Sequence, residues 1–239
     1  MNICIDIGNT NAKLGIFKEN ELLEVRQNVA DRGIVKIIKD LNPEHVLLSS
    51  VRKGIGNIVE RSSKIANTIV LSQLTPIPIA NLYKSPETLG VDRIAAVVGA
   101  RHLHKDKNCL VIDLGTCITY DLLDKSGVYH GGGISPGIDM KLKAMHKFTS
   151  KLPVVAAKGQ AELIGKTTKE CMLSGAIHGT IAELEGIISR YRQYFNDLTI
   201  LFCGGDAIFF ESKIKDHIFA VPNLVLVGLN QILRFNLND

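Results

Sequence analysis

The sequence predicts an α/β protein built from two related halves, with mixed sheets flanked by helices. The first observation is an internal repeat, because ICIDIGNTNAKLGIF near the start is echoed by LVIDLGTCITYDLL, with Asp6 and Asp113 at corresponding positions. The second is the alternation of short apolar runs with helical patterns, which is typical of mostly parallel sheets covered on both faces. Repetition within one chain indicates an internal duplication. We therefore expect one domain over 1–108 and a second over 109–239.

The first half is expected to follow the order βββαβαβ. Its opening motif predicts two paired strands, because an apolar run ends in Asp6, a Gly turn follows, and apolar residues then recur along a second run. After this motif the pattern predicts, in order, a strand over 21–27, a helix over 31–41, a strand over 45–50, a helix over 53–66 and a strand over 68–71. Three prolines make the segment 72–90 loop-like, and a helix over 89–103 leads toward the second repeat.

The second half is expected to repeat this plan with longer helices. Its opening motif again predicts two paired strands, from Leu110 onward. The elements expected after it are a strand over 128–134, a helix from Pro136, a long helix over 168–195, a strand over 198–203, a helix after Gly205, a strand over 217–221 and a last helix opened by Pro222.

The composition is that of a folded, soluble chain. Hydrophobic residues make up 46% and charged residues 22% of the 239 positions, which argues against a disordered or fibrous protein. The start lacks a basic segment before its apolar run, so it does not resemble a secretory signal. The longest uncharged run, 218–233, falls short of the roughly 20 apolar residues that a membrane span needs. We expect no membrane segment.

The cysteine count and the net charge indicate which cellular compartment and which kinds of binding partner to expect. Five widely spaced cysteines without a CxxC pair predict neither a disulfide framework nor a zinc site. We therefore expect thiols in a reducing cytoplasm. The net charge of +4 is too small to indicate a nucleic-acid-binding protein. One basic stretch, 141–158, carries five lysines without an acid and fits a solvated helix face or a field near bound phosphates.

Two Gly-containing turns are candidates for phosphate binding. In DIGNTNAK, Asp6 to Lys13, a Gly turn exposes backbone N–H groups, and the terminal Lys adds positive charge. Asp6 at the strand end could hold magnesium or its waters. A plain hairpin with polar capping residues explains such a segment equally well when it stands alone. The matching DLGTCIT, Asp113 to Thr119, favours two loops that face each other across a cleft and hold one nucleotide.

A third Gly-rich segment, FCGGDA from Phe202 to Ala207, lies between a predicted strand and a helix. Its Gly204 and Gly205 would let the backbone lie flat against a purine and a ribose. The segment lacks the GxGxxG spacing of a dinucleotide site, and no GxxxxGK[ST] occurs in the chain. A tight turn without a ligand also fits this pattern.

Together, two DxGxT-type loops and a GG loop resemble the superfamily of sugar kinases, chaperone ATPases and actin. Within it, the series DIGNTNAK, LYKSPETLGVDR, DLGTCIT, GGGISPG and CGGDA resembles the type III pantothenate kinase family over nearly the whole chain. The resemblance implies duplicated ribonuclease H-like domains of the actin-like ATPase fold. The most diagnostic element is GVDR preceded by Tyr83. One departure is Cys117, where the family usually has Ala and where a small thiol fits the same space.

The resemblance also implies an activity. It is the ATP-dependent phosphorylation of pantothenate at its primary hydroxyl, giving 4'-phosphopantothenate in the first step of coenzyme A synthesis. The implied cofactors are ATP, Mg²⁺ and a monovalent cation, K⁺ or NH₄⁺. The implied assembly is a homodimer with a shared active site, without nucleic-acid or membrane partners.

Site residues follow from the same resemblance. The ATP-binding residues are Asp6, Ile7, Gly8, Asn9, Thr10, Asn11, Ala12, Lys13, Thr116, Gly204 and Gly205. The substrate-binding residues are Tyr83, Gly90, Val91, Asp92, Arg93 and Thr168, the last reaching pantothenate from the neighbouring subunit. Asp92 is the catalytic base for the hydroxyl, Asp113 binds the monovalent cation, and Asp6 binds magnesium directly or through water.

Residue chemistry in the GVDR segment agrees with this role. An Asp beside an Arg at the start of a helix places a proton acceptor next to an anion-binding guanidinium. An isolated Asp-Arg pair more often only caps a helix on the surface. Near Thr168, Gly175 and Gly179 lie four apart on one helix face and permit close helix packing, within one subunit or between two.

Two other functions remain open at this point. A sugar or amino-sugar kinase of the same superfamily would be expected to carry its sugar-binding carboxylate in another context, often with a Cys/His zinc cluster, and neither is visible in the sequence. A nucleotide-dependent regulatory adaptor would keep the nucleotide loops without catalysis. The joint presence of Asp92, Arg93 and Asp113 argues against the adaptor.

Overall fold

The computed structural model describes residues 1–8, 12–52, 54–157, 159, 161–195 and 197–237, and these form two units. Unit 1 contains Met1–Asp106, Leu123–Gly131 and the chain from Asn223 onward. Unit 2 contains Lys107–Leu122 and Gly132–Pro222.

Eleven strands and seven α-helices are found in the described residues. In chain order they are β1 (Asn2–Ile7), β2 (Ala12–Lys18), β3 (Glu21–Val29), α1 (Asp31–Leu41), β4 (His45–Ser50), α2 (Gly56–Ser63), β5 (Asn67–Val70), β6 (Ala80–Asn81), α3 (Val91–Leu103), β7 (Asn108–Leu114), β8 (Cys117–Leu123), β9 (Val128–Pro136), α4 (Ile138–Lys147), α5 (Thr168–Tyr194), β10 (Leu198–Cys203), α6 (Ala207–Glu211), β11 (Ile218–Ala220) and α7 (Leu224–Leu237). A short 3₁₀ helix covers Pro86–Thr88.

The sheet of unit 1 has the strand order β3-β2-β1-β4-β5. The β1–β2 and β2–β3 pairs are antiparallel, and β4 is parallel to both β1 and β5. Side chains alternate along β1, so Ile3, Ile5 and Ile7 are buried on one face, where they join Ile34 and Ile38 of α1. The opposite face carries Cys4 and Asp6, which places the acidic side chain at the carboxyl end of a central strand.

Helices α3 and α7 of unit 1 pack with their backbones in contact. A Cβ on Gly99 of α3 would lie 2.4 Å from the carbonyl oxygen of Leu224, and a Cβ on Gly228 of α7 would lie 1.7 Å from that of Ala95. Any larger side chain at either position would separate the helices. This approach binds the last helix to the helix that begins with the GVDR segment.

In unit 2, β7, β10 and β11 form a parallel group, and the strand order continues through β8 to β9. The first residues of β9 belong to unit 1, where Ala80 of β6 lies opposite Val128. Helix α5 begins with a capping box, in which Thr167 Oγ1 accepts from the backbone N–H of Glu170 and the Glu170 carboxylate accepts from that of Thr167.

Most of the predicted elements are present, and several differ from the expectation in detail. The helix expected over 53–66 spans only Gly56–Ser63, because Gly54 has a φ of +87° that no helical residue adopts. The segment expected to be loop-like contains β6 and the 3₁₀ helix. The last helix, placed by sequence in the domain 109–239, groups with unit 1 through its packing on α3.

Two further expectations concern the cysteines and membrane-spanning segments. All five cysteines lie in the described part of the chain, and each carries a thiol. Within the described ranges no helix is long and apolar enough to span a membrane.

Candidate active site

The first phosphate-loop motif lies at the carboxyl end of β1 and the start of β2. Asp6 is half-buried and pairs in register with Lys13, and the buried Ile7 pairs with Ala12. Gly8 follows β1 directly. The expected contacts Asn9, Thr10 and Asn11 lie outside the described residues. The carboxyl end of a central strand is where open α/β sheets place ligand-binding groups, which fits Asp6 as an oxygen donor for Mg²⁺.

Of the expected substrate residues of unit 1, Tyr83 and Arg93 lie against each other. The Tyr83 ring stacks on that of the buried Tyr129, with centroids 6.3 Å apart and an interplanar angle of 17°. The guanidinium carbon of Arg93 lies 5.7 Å from the centroid of the Tyr83 ring. On another side, a Cβ on Gly131, which has a φ of +89°, would lie 3.2 Å from Tyr83 Cδ2. Tyr83 is therefore contacted by groups from two segments, with Tyr129 and Gly131 on β9 and Arg93 on α3.

Asp92 stands in the first turn of α3. The helix begins at Val91 rather than at Leu89, because Leu89 and Gly90 keep extended backbone conformations. Asp92 Oδ1 accepts a hydrogen bond of 2.9 Å from the backbone N–H of Arg93, and a helix N-terminus favours a negative charge. A Cβ on Gly90 would lie only 2.5 Å from Asp92 Oδ1, so Gly90 leaves room for this carboxylate.

Arg93 combines a charged head with a buried position. Its exposed fraction is 6%, and it lies over an aromatic face, where a cation is stabilised. The sequence had predicted an Asp and an Arg side by side at a helix start, and the structure confirms that placement. Arg93 and Asp92 thus offer a positive and a negative group at the same helix end.

In unit 2, Asp113 and the GG segment meet at the ends of β7 and β10. Asp113 pairs in register with Cys203, the residue before Gly204. A Cβ on Gly204, whose φ is +88°, would lie 2.4 Å from Asp113 Oδ1 and 2.5 Å from the carbonyl oxygen of Leu114. Gly204 therefore allows a carboxylate and a carbonyl oxygen to lie side by side. Hard cations such as potassium and magnesium prefer oxygen donors of this kind.

The turn between β7 and β8 carries Thr116, which is exposed. Its carbonyl oxygen accepts a 3.1 Å hydrogen bond from the backbone N–H of Gly137, just before α4. A Cβ on Gly137 would lie 2.2 Å from the carbonyl oxygen of Gly115. The start of α4 thus rests directly on the second phosphate-loop motif, and only glycine fits at the contact.

Asp206 follows the GG pair and was not among the expected site residues. Its backbone N–H donates 2.9 Å to the carbonyl oxygen of Leu114, which ties the GG segment to the end of β7. Burial, and then the nearby Asp139 carboxylate, raise the pKa of Asp206 above its usual value. Gly205 is exposed, and the helix that follows, α6, is only five residues long.

A partly buried polar network joins α4 and α5 to the sheet of unit 2. The Glu183 carboxylate accepts hydrogen bonds from Lys141 Nζ at 2.7 Å and from Tyr120 Oη at 2.8 Å. Lys141 Nζ also donates 2.8 Å to Thr180 Oγ1. Burial works against ionisation of Glu183, yet hydrogen bonds from Lys141, Ser135 and Tyr120 place its pKa below the usual value. Burial, and then the bond to Glu183, raise the pKa of Tyr120.

This network accounts for the first lysine of the basic stretch 141–158, which is paired with Glu183 rather than solvated. No sequence pattern predicts this pairing, because Lys141 and Glu183 are 42 positions apart. The contacts of Tyr129 and Gly131 with Tyr83 were not predicted from the sequence either. Their only signal was Gly131 in the GGGISPG motif, where three consecutive glycines indicate close backbone approach.

Thr168 lies in unit 2 as the first residue of α5, and it is exposed. Farther along the same helix, Gly175 and Gly179 are exposed as well, and a Cβ on either would meet no atom within 4 Å. The described part of the chain therefore packs nothing against these glycines. His178 between them has its Nε2 2.9 Å from the carbonyl oxygen of Ala161, a contact within the chain.

Comparison with known proteins gives a consistent result. A family model described as type III pantothenate kinase matches residues 2–190. A type III pantothenate kinase from Phocaeicola vulgatus is 43% identical over 239 residues, covering 99% of each chain. One from Christiangramia forsetii is 42% identical over 241 residues, also covering 99% of each chain.

Solved structures show the fold. A Baf family transcriptional activator from Campylobacter jejuni, so described, superposes with a TM-score of 0.66 at 21% identity, covering 99% of this chain and 100% of that one. The inorganic polyphosphate/ATP-glucomannokinase from Arthrobacter sp. strain KM gives 0.51 at 14% identity, covering 99% and 98%. At these identities the likeness concerns the fold alone. The expected fold of actin-like ATPases and sugar kinases is confirmed.

Proposed function

Because the chain belongs to the type III pantothenate kinase family, we propose that it transfers the terminal phosphoryl group of ATP to the primary hydroxyl of pantothenate. The product is 4'-phosphopantothenate, and the reaction is the first step of coenzyme A synthesis. The observation that carries the proposal is the grouping of Tyr83, Asp92 and Arg93 at the start of α3. It supplies an aromatic surface, a carboxylate and a guanidinium in one place, which suits a small polar acid with a reactive hydroxyl.

Asp92 is the proposed catalytic residue. Phosphoryl transfer has a loose transition state, so a carboxylate assists mainly by orienting the hydroxyl and taking its proton late. Arg93, buried against Tyr83, is suited to bind the carboxylate of pantothenate by charge-assisted hydrogen bonds. Gly90 keeps the Asp92 carboxylate free of steric pressure. The substrate role of Val91, the first residue of α3, rests on the family resemblance.

ATP binding is proposed for both phosphate-loop motifs. In unit 1 the groups are Asp6, Ile7 and Gly8 at the end of β1, with Ala12 and Lys13 at the start of β2. In unit 2 they are Thr116 and the glycine pair Gly204 and Gly205. Backbone N–H groups of Gly turns and the Lys13 charge suit phosphate oxygens.

Two cations complete the proposed chemistry. Asp6 would hold Mg²⁺, directly or through water, and Asp113 with the Leu114 carbonyl oxygen would hold K⁺ or NH₄⁺. When bound, the cations neutralise charge that develops on the phosphate oxygens. The residues fit this role because carboxylate and carbonyl oxygens lie at the ends of β1 and β7.

We also propose a homodimer with a shared active site, in which Thr168 reaches pantothenate bound by the partner chain. The exposed face of α5 around Gly175 and Gly179, against which the described residues pack nothing, supports this proposal, since it lets a second helix approach closely. A cytoplasmic location is proposed as well, in keeping with five thiols.

A coupled assay of ADP release tests the function. Purified protein with Mg·ATP and K⁺ should release ADP with pantothenate and much less with glucose or N-acetylglucosamine. Mass spectrometry of the product should show one phosphate added to pantothenate. Release with glucose instead would indicate a sugar kinase, and ATP binding without turnover of any of the three substrates would favour a regulatory adaptor.

A further inference from the structure

Ser49 presents a buried hydroxyl without a partner next to the first phosphate-loop motif. Its exposed fraction is 0%, and its Oγ has no hydrogen-bond partner among the residues that the structure describes. A buried hydroxyl left unpaired is destabilising, because its hydrogen bonds to water are lost and not replaced. Alanine would fit the same space without an unpaired hydroxyl. The presence of serine therefore indicates that the hydroxyl gains a hydrogen-bond partner when a ligand binds.

The placement of Ser49 connects it with Asp6. The two residues are register partners in the parallel β1–β4 ladder. Along β4, Val46 and Leu48 join the apolar core with Ile5 and Ile7 of β1. Because side chains alternate along a strand, Ser49 and Asp6 point to the opposite face of the sheet, side by side. Ser49 is also one residue from the carboxyl end of β4, the edge at which ligands bind in open α/β sheets.

We propose that Ser49 is a positioning residue of the magnesium–nucleotide site. When Mg²⁺ and nucleotide are bound, its hydroxyl donates a hydrogen bond to the Asp6 carboxylate or to a metal-bound water beside it. The inference rests on the proposed function, in that it takes Asp6 as the residue that serves Mg²⁺. It gives a hydrogen-bond partner to a fully buried hydroxyl that has none among the described residues.

Ser62 of α2 provides a matched control. Its exposed fraction is also 0%, and its Oγ is likewise without a partner in the described chain. It lies on the same helix face as Ile58, a member of the core on the other side of the sheet from Ser49. Ser49→Ala and Ser62→Ala therefore remove the same kind of group from the same unit, and only the first lies beside Asp6.

The experiment is calorimetric titration of each protein with a non-hydrolysable ATP analogue, once with Mg²⁺ and once with EDTA, together with thermal unfolding of the free proteins. With Mg²⁺, Ser49→Ala should bind the analogue about tenfold more weakly than wild type, as expected for one hydrogen bond to a charged group. With EDTA the difference should shrink. Ser62→Ala should bind like wild type, and neither free variant should unfold at a lower temperature.

Equal affinity of Ser49→Ala and wild type for the analogue with Mg²⁺ would overturn the inference and leave the proposed function intact. An equal loss in Ser62→Ala would also overturn it, since the effect would then come from the core. If Ser49→Ala fails to fold, Ser49→Cys keeps the volume with a weak donor, and it should show the same loss. A wild-type protein that neither binds the analogue nor phosphorylates pantothenate would refute the proposed function instead.

Discussion

At the residue scale, Asp92 has a structural role at the start of α3 and a proposed chemical role as a base, and its contacts allow the two to be tested separately. Its Oδ1 accepts from the backbone N–H of Arg93, so the carboxylate contributes to the start of α3. An amide oxygen can accept the same bond, but an amide cannot take a proton from a hydroxyl. Replacing the carboxylate by an amide therefore tests the chemistry while keeping the helix end.

We expect Asp92→Asn to remain folded and dimeric and to lose turnover by about 10²- to 10⁴-fold, the usual cost of a missing general base. Steady-state kinetics with pantothenate measure the loss, and circular dichroism checks the fold. Glu87→Gln is the control, since Glu87 is an exposed carboxylate of the neighbouring 3₁₀ helix. Turnover by Asp92→Asn within a few-fold of wild type would contradict the assignment.

Asp113 carries the second prediction at this scale. Activity should be much lower with sodium or a bulky organic cation than with potassium, because a carboxylate and a carbonyl oxygen at the Gly204 contact suit a weakly hydrated cation. Rates measured across the cation series should be nearly flat for Asp113→Asn. Equal wild-type rates in potassium and sodium would remove the cation role and leave Asp113 to the phosphates or magnesium.

At the scale of elements, local sequence patterns predicted most strands and helices. The elements that these patterns failed to predict depend on long-range contacts. Helix α1 was predicted with its observed ends, since its apolar spacing is regular and a left-handed Asn42 follows it. Strand β6 was missed because its two residues are defined only by pairing with β9, far along the chain. Similarly, the support that Tyr129 gives Tyr83 depends on ring stacking that no sequence spacing reveals.

The candidate site divides in the same way. Asp92 and Arg93 are adjacent in sequence, so a motif could place them together. Glu183 gathers hydrogen bonds from three other elements, and its partners carry no common pattern. Local chemistry is therefore predictable from sequence where neighbours in the chain are neighbours in space, and it is not where tertiary packing brings the groups together.

Strand β9 offers a prediction on the substrate site. Gly131→Ala should raise the KM for pantothenate by about tenfold and leave the KM for ATP unchanged, since its methyl group would press on Tyr83 Cδ2 from 3.2 Å. A left-handed Ala also costs about 1–2 kcal/mol of stability. Gly54→Ala is the control, with a similar φ of +87° and nothing within 4 Å of its Cβ. Kinetics that change equally in both variants would assign the effect to backbone strain.

The turn between β8 and β9 makes stability depend on pH. Burial opposes ionisation of Asp124, yet hydrogen bonds from Ser126, His130 and Val128 lower its pKa to about 2. A lowered pKa means that the folded protein gains stability above the usual pKa of Asp and loses it as the pH falls toward 2. After allowance for solvent screening, this amounts to about 1–2 kcal/mol.

Asp124→Asn should therefore lower the free energy of unfolding by about 1–2 kcal/mol at neutral pH and by almost nothing near pH 2. Urea titrations at both pH values measure this. Asp106→Asn should change the free energy of unfolding little at either pH, because the Asp106 carboxylate that pairs with Arg101 is exposed. A loss of equal size at both pH values for Asp124→Asn would show that packing of the turn, not its charge, is responsible.

At the scale of the whole molecule, the first and last segments of the chain belong to the same unit. Strand β1 and helix α7 both belong to unit 1, and the close approach of Gly99 and Gly228 holds α7 to α3. The proposed base thus lies on a helix that the end of the chain stabilises. Unit 2 presents the exposed Thr168 and, on the same helix, the positions Gly175 and Gly179, where no described residue would meet a Cβ within 4 Å.

We predict that each active site contains groups from two chains. Asp92→Asn should be inactive because it lacks the base, and a bulky replacement of Thr168 should be inactive because it blocks pantothenate in the partner's site. Thr168 is exposed at the first turn of α5, so such a replacement need not disturb the fold.

After the two variants are mixed and exchanged, one of the two sites in each heterodimer combines an intact base with an intact Thr168. Activity should therefore return toward half of the wild-type value per heterodimer, measured by the coupled assay, with native mass spectrometry counting the heterodimers. The control is each variant carried alone through the same exchange, which should stay inactive. Heterodimers without activity would mean that every chain builds its own site, and a wild-type protein that is monomeric and fully active would exclude the shared site altogether.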